Sequence, residues 1–267
     1  MTLNVLEFLA HGATRGTLVA LPGIAESAAT LAVSCEHWAE RGFRVLAIDP
    51  PGHGKSPRWS NYALRGHPGD VIVDEILNTI DNWCVDDEQP QIFFGHSAGG
   101  AAAAAVAAAS VHQVAGVVLE DPFWRFPVTH HQDRLVAQGA ADWLADQQRL
   151  SDAEREAGAA LLYPKWPRDE IPEWSQAKAQ MDLTLVRNGD VIPSRPWPRL
   201  LTDLSQRLVP VLLVTGTRRC GNTPTHRAIQ RALGVRVEIF EGASHFVRRD
   251  ERSRFHHRVD VFLDEIL

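Results

Sequence analysis

Short apolar runs alternate along this chain with longer segments in which apolar residues recur at helical spacing. Short runs rich in Val, Ile, Leu and Phe are typical of strands buried in a sheet. They occupy residues 5–9, 17–21, 44–48, 92–94, 114–119, 209–214 and 235–240. The intervening segments predict helices over residues 27–41, 70–83, 101–109 and 254–267. Strands that alternate with helices predict an α/β fold with a mostly parallel central sheet and helices on both faces.

The alternation stops after the fifth apolar run. Helical spacing is present over residues 135–150 and 153–162, and the chain then becomes irregular and rich in proline. We interpret residues 123–198 as an inserted, mainly helical lid, and residues 1–122 and 199–267 as the core domain. Four tryptophans of the lid could line an apolar substrate pocket, or could instead pack the lid onto the core: Trp124, Trp143, Trp166 and Trp174.

The composition of the 267 residues narrows the functional classes. Apolar residues make up 45% and charged residues 22%, which is typical of a globular protein with a sizeable core. The net charge of −6 without a basic run argues against nucleic-acid binding. No apolar stretch is long enough to span a membrane. Three dispersed cysteines, and an N-terminus unlike a signal peptide, predict a cytoplasmic location.

The fourth apolar run ends in Gly95-His96-Ser97-Ala98-Gly99, and an alanine-rich segment follows it. A strand, a tight turn and a helix in this order predict a nucleophile elbow, with Ser97 at its tip. The two glycines suit the cramped backbone of such a turn, because they carry no side chain. The N-terminus of the following helix would favour negative charge that develops beside Ser97.

Two further stretches, taken with this elbow, resemble the α/β-hydrolase superfamily. They are Leu21-Pro22-Gly23-Ile24 and residues 42–56, which end in Asp-Pro-Pro-Gly-His-Gly-Lys-Ser. The resemblance covers residues 17–110 and 209–267 and is weak across the lid. It implies the fold described above, a serine nucleophile followed along the chain by an acid and then a histidine, and neither a metal nor an organic cofactor.

The resemblance implies that the general base is His245. This residue follows the last predicted strand through the small-residue loop Glu241-Gly242-Ala243-Ser244, and it precedes the closing helix. Two other histidines fit less well. His96 lies beside the nucleophile and is expected to point into the body, and His53 belongs to the Gly-His-Gly loop, which is usually structural.

The position of the acid along the chain differs from the common pattern of the superfamily. Most relatives carry it after the strand at residues 209–214, but residues 204–237 contain no Asp or Glu. Some relatives place it one strand earlier, where this chain has Glu120-Asp121, and the alignment of strand ends favours Asp121. Glu120, Asn222 and the absence of an acid remain alternatives.

The resemblance also implies an oxyanion hole formed by the backbone amides of Ile24 and Ala98. Relatives usually have His-Gly where this chain has Pro22-Gly23, and the amide of Ile24 is unaffected by that exchange.

We therefore expect a serine hydrolase that cleaves an ester, a lactone or a related acyl bond of a small apolar or aromatic molecule. Two alternatives remain open at this point: a lyase or C–C bond-cleaving enzyme with the same triad, and a ligand receptor with little turnover. The sequence leaves open the oligomeric state, a homodimer included, and the identity of the substrate.

Overall fold

A seven-stranded sheet forms the centre of the computed structural model, which describes residues 1–59, 66–84, 89–124 and 130–267. The strand order is β1-β3-β2-β4-β5-β6-β7. Strand β1 pairs antiparallel with β3, and all other neighbouring strands are parallel. The strands are β1 Val5–Phe8, β2 Gly16–Leu21, β3 Phe43–Ile48, β4 Gln91–His96, β5 Val114–Glu120, β6 Val211–Gly216 and β7 Arg236–Phe240.

Helices cover both faces of this sheet. Each face of the sheet has its own apolar cluster, and the alternate side chains of β2 contribute to both. Val19 and Leu21 belong to one cluster, and Leu18 and Ala20 belong to the other. The helices are α1 Ala32–Glu40, α2 Pro68–Trp83, α3 Ala98–Ala109, α4 His130–Arg149, α5 Asp152–Leu162, α6 Ile171–Gln180, α7 Leu183–Asn188, α8 Trp197–Gln206, α9 Pro224–Ala232, α10 Val247–Asp250 and α11 Arg252–Ile266. The predicted α/β class is confirmed, with a mostly parallel sheet between two helical layers.

The sixth strand lies two residues later than the sequence pattern predicts. Val209 still belongs to the turn that closes α8, because its amide donates to the carbonyl of Leu204 at 2.9 Å. Leu208, with a φ of 57°, reverses the chain there. Pairing with β5 then begins at Val211.

The region between β5 and β6 is more helical than we expected. The chain leaves the sheet after β5 and returns at β6 after helices α4 to α8. Two of the prolines that suggested an irregular segment lie at helix starts, Pro172 in the first turn of α6 and Pro198 in the first turn of α8. Proline is tolerated there because its missing N–H would have no partner within the helix. The domain boundary expected between residues 198 and 199 falls within the first turn of α8.

No helix in the described part of the chain is long and apolar enough to cross a membrane.

The alanine-rich helix α3 lies at the centre of the core. It packs against β2, β4 and β5 on one side and against α2 and α8 on the other. Ala103 and Ala104 are fully buried, and nine of the residues in α3 are buried. Small side chains allow α3 to approach the sheet closely, which fixes the position of the elbow at its N-terminus.

We expect Ala104→Leu to destabilise the protein strongly, because the larger side chain has no space between α3 and its neighbours. Overpacking of a well-packed core typically costs about 1–3 kcal/mol. The matched control is Ala109→Leu, since Ala109 is exposed at the end of the same helix. Urea denaturation should show a lower free energy of unfolding for Ala104→Leu only. Equal losses in both variants would contradict this account of α3.

Candidate active site

Ser97 lies at a strained bend between β4 and α3. Its φ of 54° and ψ of −119° fall in a region that residues other than glycine rarely adopt. A Cβ atom built on Gly95 would lie 2.2 Å from the carbonyl oxygen of Gly99, and one built on Gly99 would lie 2.3 Å from that of Pro22. Both positions therefore require glycine. The local geometry is that of the nucleophile elbow predicted from the sequence.

The structure brings Asp121 and His245 together. The distance between Oδ2 of Asp121 and Nδ1 of His245 is 2.5 Å. The ring of His245 also lies 4.7 Å, between centroids, from the ring of His96, which is the neighbour of Ser97. The two side chains predicted as base and acid therefore form a hydrogen-bonded pair beside the elbow.

Donors surround the carboxylate of Asp121, which is fully buried. The Thr215 hydroxyl donates to Oδ1 at 2.6 Å, and the Gly221 amide donates to Oδ2 at 2.7 Å. The Asn222 side chain donates to Oδ1 at 2.9 Å, and its backbone amide does so at 3.2 Å. Three of these four donors belong to the loop where most relatives carry the acid. In this chain that loop supplies hydrogen-bond donors to a carboxylate from the neighbouring strand.

These donors determine the charge state of Asp121. Burial alone would raise the pKa of this carboxyl group. The hydrogen bond and charge of His245 outweigh burial, with help from Thr215 and Gly221, and lower the pKa of Asp121 to about 2. Asp121 is therefore ionised at neutral pH, and its negative charge can stabilise a protonated His245.

Glu120, the alternative acid, points away from His245. Its carboxylate accepts hydrogen bonds from the Arg248 amide at 2.7 Å and from Arg248 Nη1 at 2.6 Å. Glu120 is the last residue of β5, and the chain turns at the next residue, Asp121, which has a φ of 37°, so the two adjacent carboxylates have different neighbours. Asn222, the other alternative, contacts Asp121 rather than His245.

The loop after β2 lies against Ser97. A Cβ atom built on Gly23 would lie 3.1 Å from Cβ of Ser97, so the amide of the next residue, Ile24, is close to the elbow. Ala98 is the first residue of α3, and its amide has no acceptor within the helix. In the part of the chain that the structure describes, neither amide donates to a protein acceptor. Both amides predicted for the oxyanion hole are therefore free to bind an oxygen atom.

A buried ionic cluster that sequence analysis missed supports this loop. Glu26 Oε2 accepts hydrogen bonds from the Gly23 amide at 2.9 Å and from Nδ1 of His96 at 2.6 Å. Glu26 Oε1 accepts from Arg248 at 3.0 Å and from Arg249 at 2.7 Å. Burial would raise the pKa of Glu26, but His96 and the two arginines lower it well below its usual value. No local signal could have revealed the cluster, because its members are far apart in the sequence.

The two other histidines take the structural positions expected of them. His96 is buried, and its Nε2 lies 3.0 Å from the carbonyl oxygen of His245, so it links Glu26 to the backbone of the predicted base. His53 is also buried, and its Nδ1 lies 3.1 Å from the carbonyl oxygen of Pro51.

A cavity of about 810 Å³ opens beside His245. Aromatic side chains from the inserted region and from the core form part of its wall: Phe123, Tyr163, Trp166 and Phe246. The rings of Tyr163 and Trp166 stack at a centroid distance of 3.8 Å. One of the four predicted tryptophans therefore lines the cavity that His245 shares.

The other three tryptophans lie elsewhere. Trp174 packs behind Trp166, with their centroids 5.6 Å apart. Trp124 stacks on Trp197 at 5.4 Å and lines a separate cavity of about 410 Å³. Trp143 is 44% exposed and lines neither cavity. These three tryptophans do not line the cavity beside His245, and their contact with substrate stays a prediction, because helical spacing does not reveal which side of a lid helix faces the core.

A serine at a strand-to-helix elbow, with a histidine–aspartate pair at the same edge of a mostly parallel sheet, defines the class of α/β-hydrolases. A model of the alpha/beta hydrolase family matches residues 8–257. This chain belongs to that family.

Individual similarities agree with this assignment. The chain is 36% identical over 108 residues to a protein of Mycobacterium phage D29 named as a non-heme haloperoxidase, and the match covers 40% of this chain and only 36% of that protein. The structure of E-2-(acetamidomethylene)succinate hydrolase has a TM-score of 0.77 at 20% identity, covering 98% of this chain and 95% of that one. The structure of the enol-lactonase from Burkholderia xenovorans LB400 has a TM-score of 0.72 at 18% identity, and the match covers 98% of this chain and 96% of that one. At these identities the two structures establish the fold.

The lowered pKa of Asp121 predicts a pH-dependent contribution to stability. The folded-state pKa lies below the ordinary value of 3.8, so the contribution is present above about pH 4 and is lost as the pH falls towards 2. A shift of this size corresponds to about 2 kcal/mol. The difference in free energy of unfolding between wild type and Asp121→Asn should therefore shrink by that amount between about pH 6 and pH 2.

Urea denaturation at several pH values measures this difference. Asp74→Asn is the control, because Asp74 is exposed on α2 and its replacement should give no comparable trend. A gap between wild type and Asp121→Asn that stays constant with pH would contradict the assigned ionisation.

Proposed function

We propose that this α/β-hydrolase is a serine hydrolase that cleaves an ester, a lactone or a related acyl bond through an acyl-enzyme. The observation that carries the proposal is the hydrogen bond between the buried Asp121 and the partly exposed His245, beside the strained Ser97. A serine hydroxyl is a poor nucleophile unless a base takes its proton and a third group orients that base. Asp121 supplies the orientation, because its carboxylate accepts a hydrogen bond from Nδ1 of His245. The other ring nitrogen, Nε2, is then left to take the proton of the serine hydroxyl.

Acylation is the first half of the proposed reaction. Ser97 Oγ attacks the carbonyl carbon of the substrate while His245 Nε2 takes the hydroxyl proton. The carbonyl oxygen becomes an oxyanion, which the amides of Ile24 and Ala98 stabilise by hydrogen bonds. His245 then returns the proton to the leaving group as the bond to the acyl carbon breaks.

Deacylation repeats these steps with water as the nucleophile. His245 takes a proton from the water, and the resulting hydroxyl attacks the acyl carbon attached to Ser97. Collapse of the second tetrahedral intermediate returns the proton to Ser97 Oγ and releases a carboxylic acid. All groups required are side chains or amides of this chain.

The aromatic wall of the cavity supports a substrate with an apolar or aromatic portion. Phe123, Tyr163, Trp166 and Phe246 together offer flat apolar surfaces next to His245. The names of the structurally similar hydrolase and enol-lactonase agree with cleavage of an acyl bond. We propose a small-molecule substrate of this kind.

We expect Ser97→Ala and His245→Ala to abolish turnover of small aryl esters, and Asp121→Asn to lower kcat by about 10³–10⁴-fold, because the histidine loses its orienting carboxylate. A fluorophosphonate probe should label wild type and fail to label Ser97→Ala. The matched controls are Ser194→Ala and Asp74→Asn, both at exposed positions, which should retain activity.

Two outcomes would overturn parts of this proposal. Full activity in Asp121→Asn, together with loss in Glu120→Gln, would assign the acid to Glu120. Conversion of substrate without incorporation of oxygen from isotopically labelled water would indicate a lyase rather than a hydrolase.

A further inference from the structure

Three cationic side chains line the cavity that contains His245. Arg218 and Arg219 come from the loop after β6, and Lys165 comes from the inserted region across the cavity. All three are exposed. Positive charge is therefore concentrated at this cavity, although the chain as a whole has a net charge of −6.

These cations have little protein charge to neutralise them. Among the residues that the structure describes, Arg219 and Lys165 form neither an ion pair nor a side-chain hydrogen bond. Within the described ranges Arg218 donates only through Nε, to the carbonyl oxygen of Gly242 at 2.5 Å, so its two terminal nitrogens have no acceptor there.

Two acidic residues also line the cavity, and one of them is already engaged. The carboxylate of Asp250 accepts hydrogen bonds from Trp166 Nε1 at 2.8 Å and from the Ser244 amide at 2.6 Å. Glu251 is exposed at the start of α11. The side chains that line the cavity thus include three cations and two carboxylates, and one of those carboxylates already accepts two hydrogen bonds.

The position of His245 indicates which part of a substrate would meet this charge. In the proposed reaction His245 donates its proton to the leaving group, so the leaving group lies on the His245 side of Ser97. Of these two residues only His245 lines the cavity, so we assign the cavity to the side of the leaving group. The cations therefore face the leaving group rather than the acyl group.

We propose that the substrate carries a carboxylate on its leaving group, and that Arg218 and Arg219 bind this carboxylate with help from Lys165. The inference rests on the proposed hydrolase function and names its substrate class. Arginine suits the role because its planar guanidinium group matches a carboxylate with two parallel hydrogen bonds. A phosphate monoester carries nearly two negative charges, and the ionised Asp121 beside His245 would repel it more strongly than a carboxylate.

Two esters with the same acyl group test this proposal: para-acetoxybenzoate and the neutral para-acetoxybenzamide. Wild type should favour the carboxylate by about ten- to hundredfold in kcat/KM, which is typical of a charge-assisted hydrogen bond. Arg219→Met should lower this ratio by about tenfold, and the double variant Arg218→Met/Arg219→Met should bring it close to one. Arg231→Met is the matched control, because Arg231 is exposed on α9 outside the cavity and its loss should preserve the ratio.

The outcomes separate this proposal from the proposed hydrolase function. Equal kcat/KM for the two esters in wild type would overturn the carboxylate site and leave the hydrolase intact. If neither ester is turned over, calorimetric binding of para-hydroxybenzoate, the leaving group itself, still tests the site. Binding to wild type that Arg219→Met weakens supports the proposal, and absence of binding to wild type overturns it.

A second, independent observation concerns the buried lysine of α6. Lys178 is 3% exposed, and its ammonium group donates to the carbonyl oxygen of Ala25 at 2.9 Å. The same group lies 3.5 Å from the centre of the Trp174 ring. Burial lowers the pKa of Lys178 well below its usual value; the charge of Glu26 opposes this shift, and the nearby arginines of the ionic cluster add to it.

The carbonyl that Lys178 holds belongs to the loop of the predicted oxyanion hole. Ala25 follows Ile24 directly and has a φ of 59°, which an alanine adopts only when neighbouring contacts enforce it. Glu26 holds the other side of Ile24 through the amide of Gly23. Ile24 therefore lies between two buried contacts, one of which comes from the inserted region.

We infer that Lys178 is a positioning residue that fixes the direction of the Ile24 amide. This inference also rests on the proposed hydrolase function. Lys178→Met should lower kcat by about tenfold or more and change KM little, because the loss acts on the developing oxyanion rather than on the bound substrate. Affinity for a boronic acid that mimics the tetrahedral intermediate should fall in parallel, and the melting temperature should be retained.

Lys55→Met provides the matched control, since Lys55 is exposed and lies outside the site. An unchanged kcat in Lys178→Met, or a loss of kcat that follows a loss of folded protein, would overturn the inference. Fluorophosphonate labelling of wild type tests the hydrolase function separately from the role of Lys178. Absence of labelling would count against the hydrolase function itself.

Discussion

The hydrogen bond between Asp121 and His245 is the interaction on which the rest of the site depends. A carboxylate that is fully buried is unfavourable unless donors surround it. The chain meets this requirement by pairing β5 with β6, so that the Asp121 amide donates to the carbonyl oxygen of Val214 and its side chain reaches Thr215. The loop after β6 then completes the shell with its own donors, Gly221 among them. With the acid at the end of β5, the loop after β6 supplies hydrogen-bond donors to the acid instead of the acid itself.

This arrangement has a consequence for the substrate. A second carboxylate in the loop after β6 would repel Asp121, so a loop without acidic residues is compatible with the buried pair. The same loop can then present Arg218 and Arg219 to the cavity without internal neutralisation. The lack of acidic residues in this one loop is therefore compatible both with an acid at Asp121 and with positive charge at the cavity.

Local signals explain how much of this could be predicted from sequence. Ser97 was found because glycines flank it between a strand and a helix, and His245 because it follows the last strand at the edge where ligands bind. Asp121 was favoured because residues 204–237 lack an acid. The helices α6 and α8 were missed, since prolines that begin helices look the same in sequence as prolines that interrupt them. The clusters around Glu26 and Lys178 were also missed, because their contacts join segments that come together only in the folded chain.

The adjacent carboxylates at the end of β5 show why the alternatives for the acid could be separated only by geometry. Composition cannot distinguish Glu120 from Asp121, but the chain turns at Asp121, where φ is 37°, and the two side chains therefore meet different neighbours. Asp121 meets His245, whereas Glu120 pairs with Arg248, which in turn pairs with Glu26 beside the oxyanion loop. Removal of either carboxylate would thus disturb catalysis by a different route: one through the orientation of the base, the other through the support of the loop that faces Ser97. Two adjacent residues at the end of one strand therefore support both the proposed base and the proposed oxyanion hole.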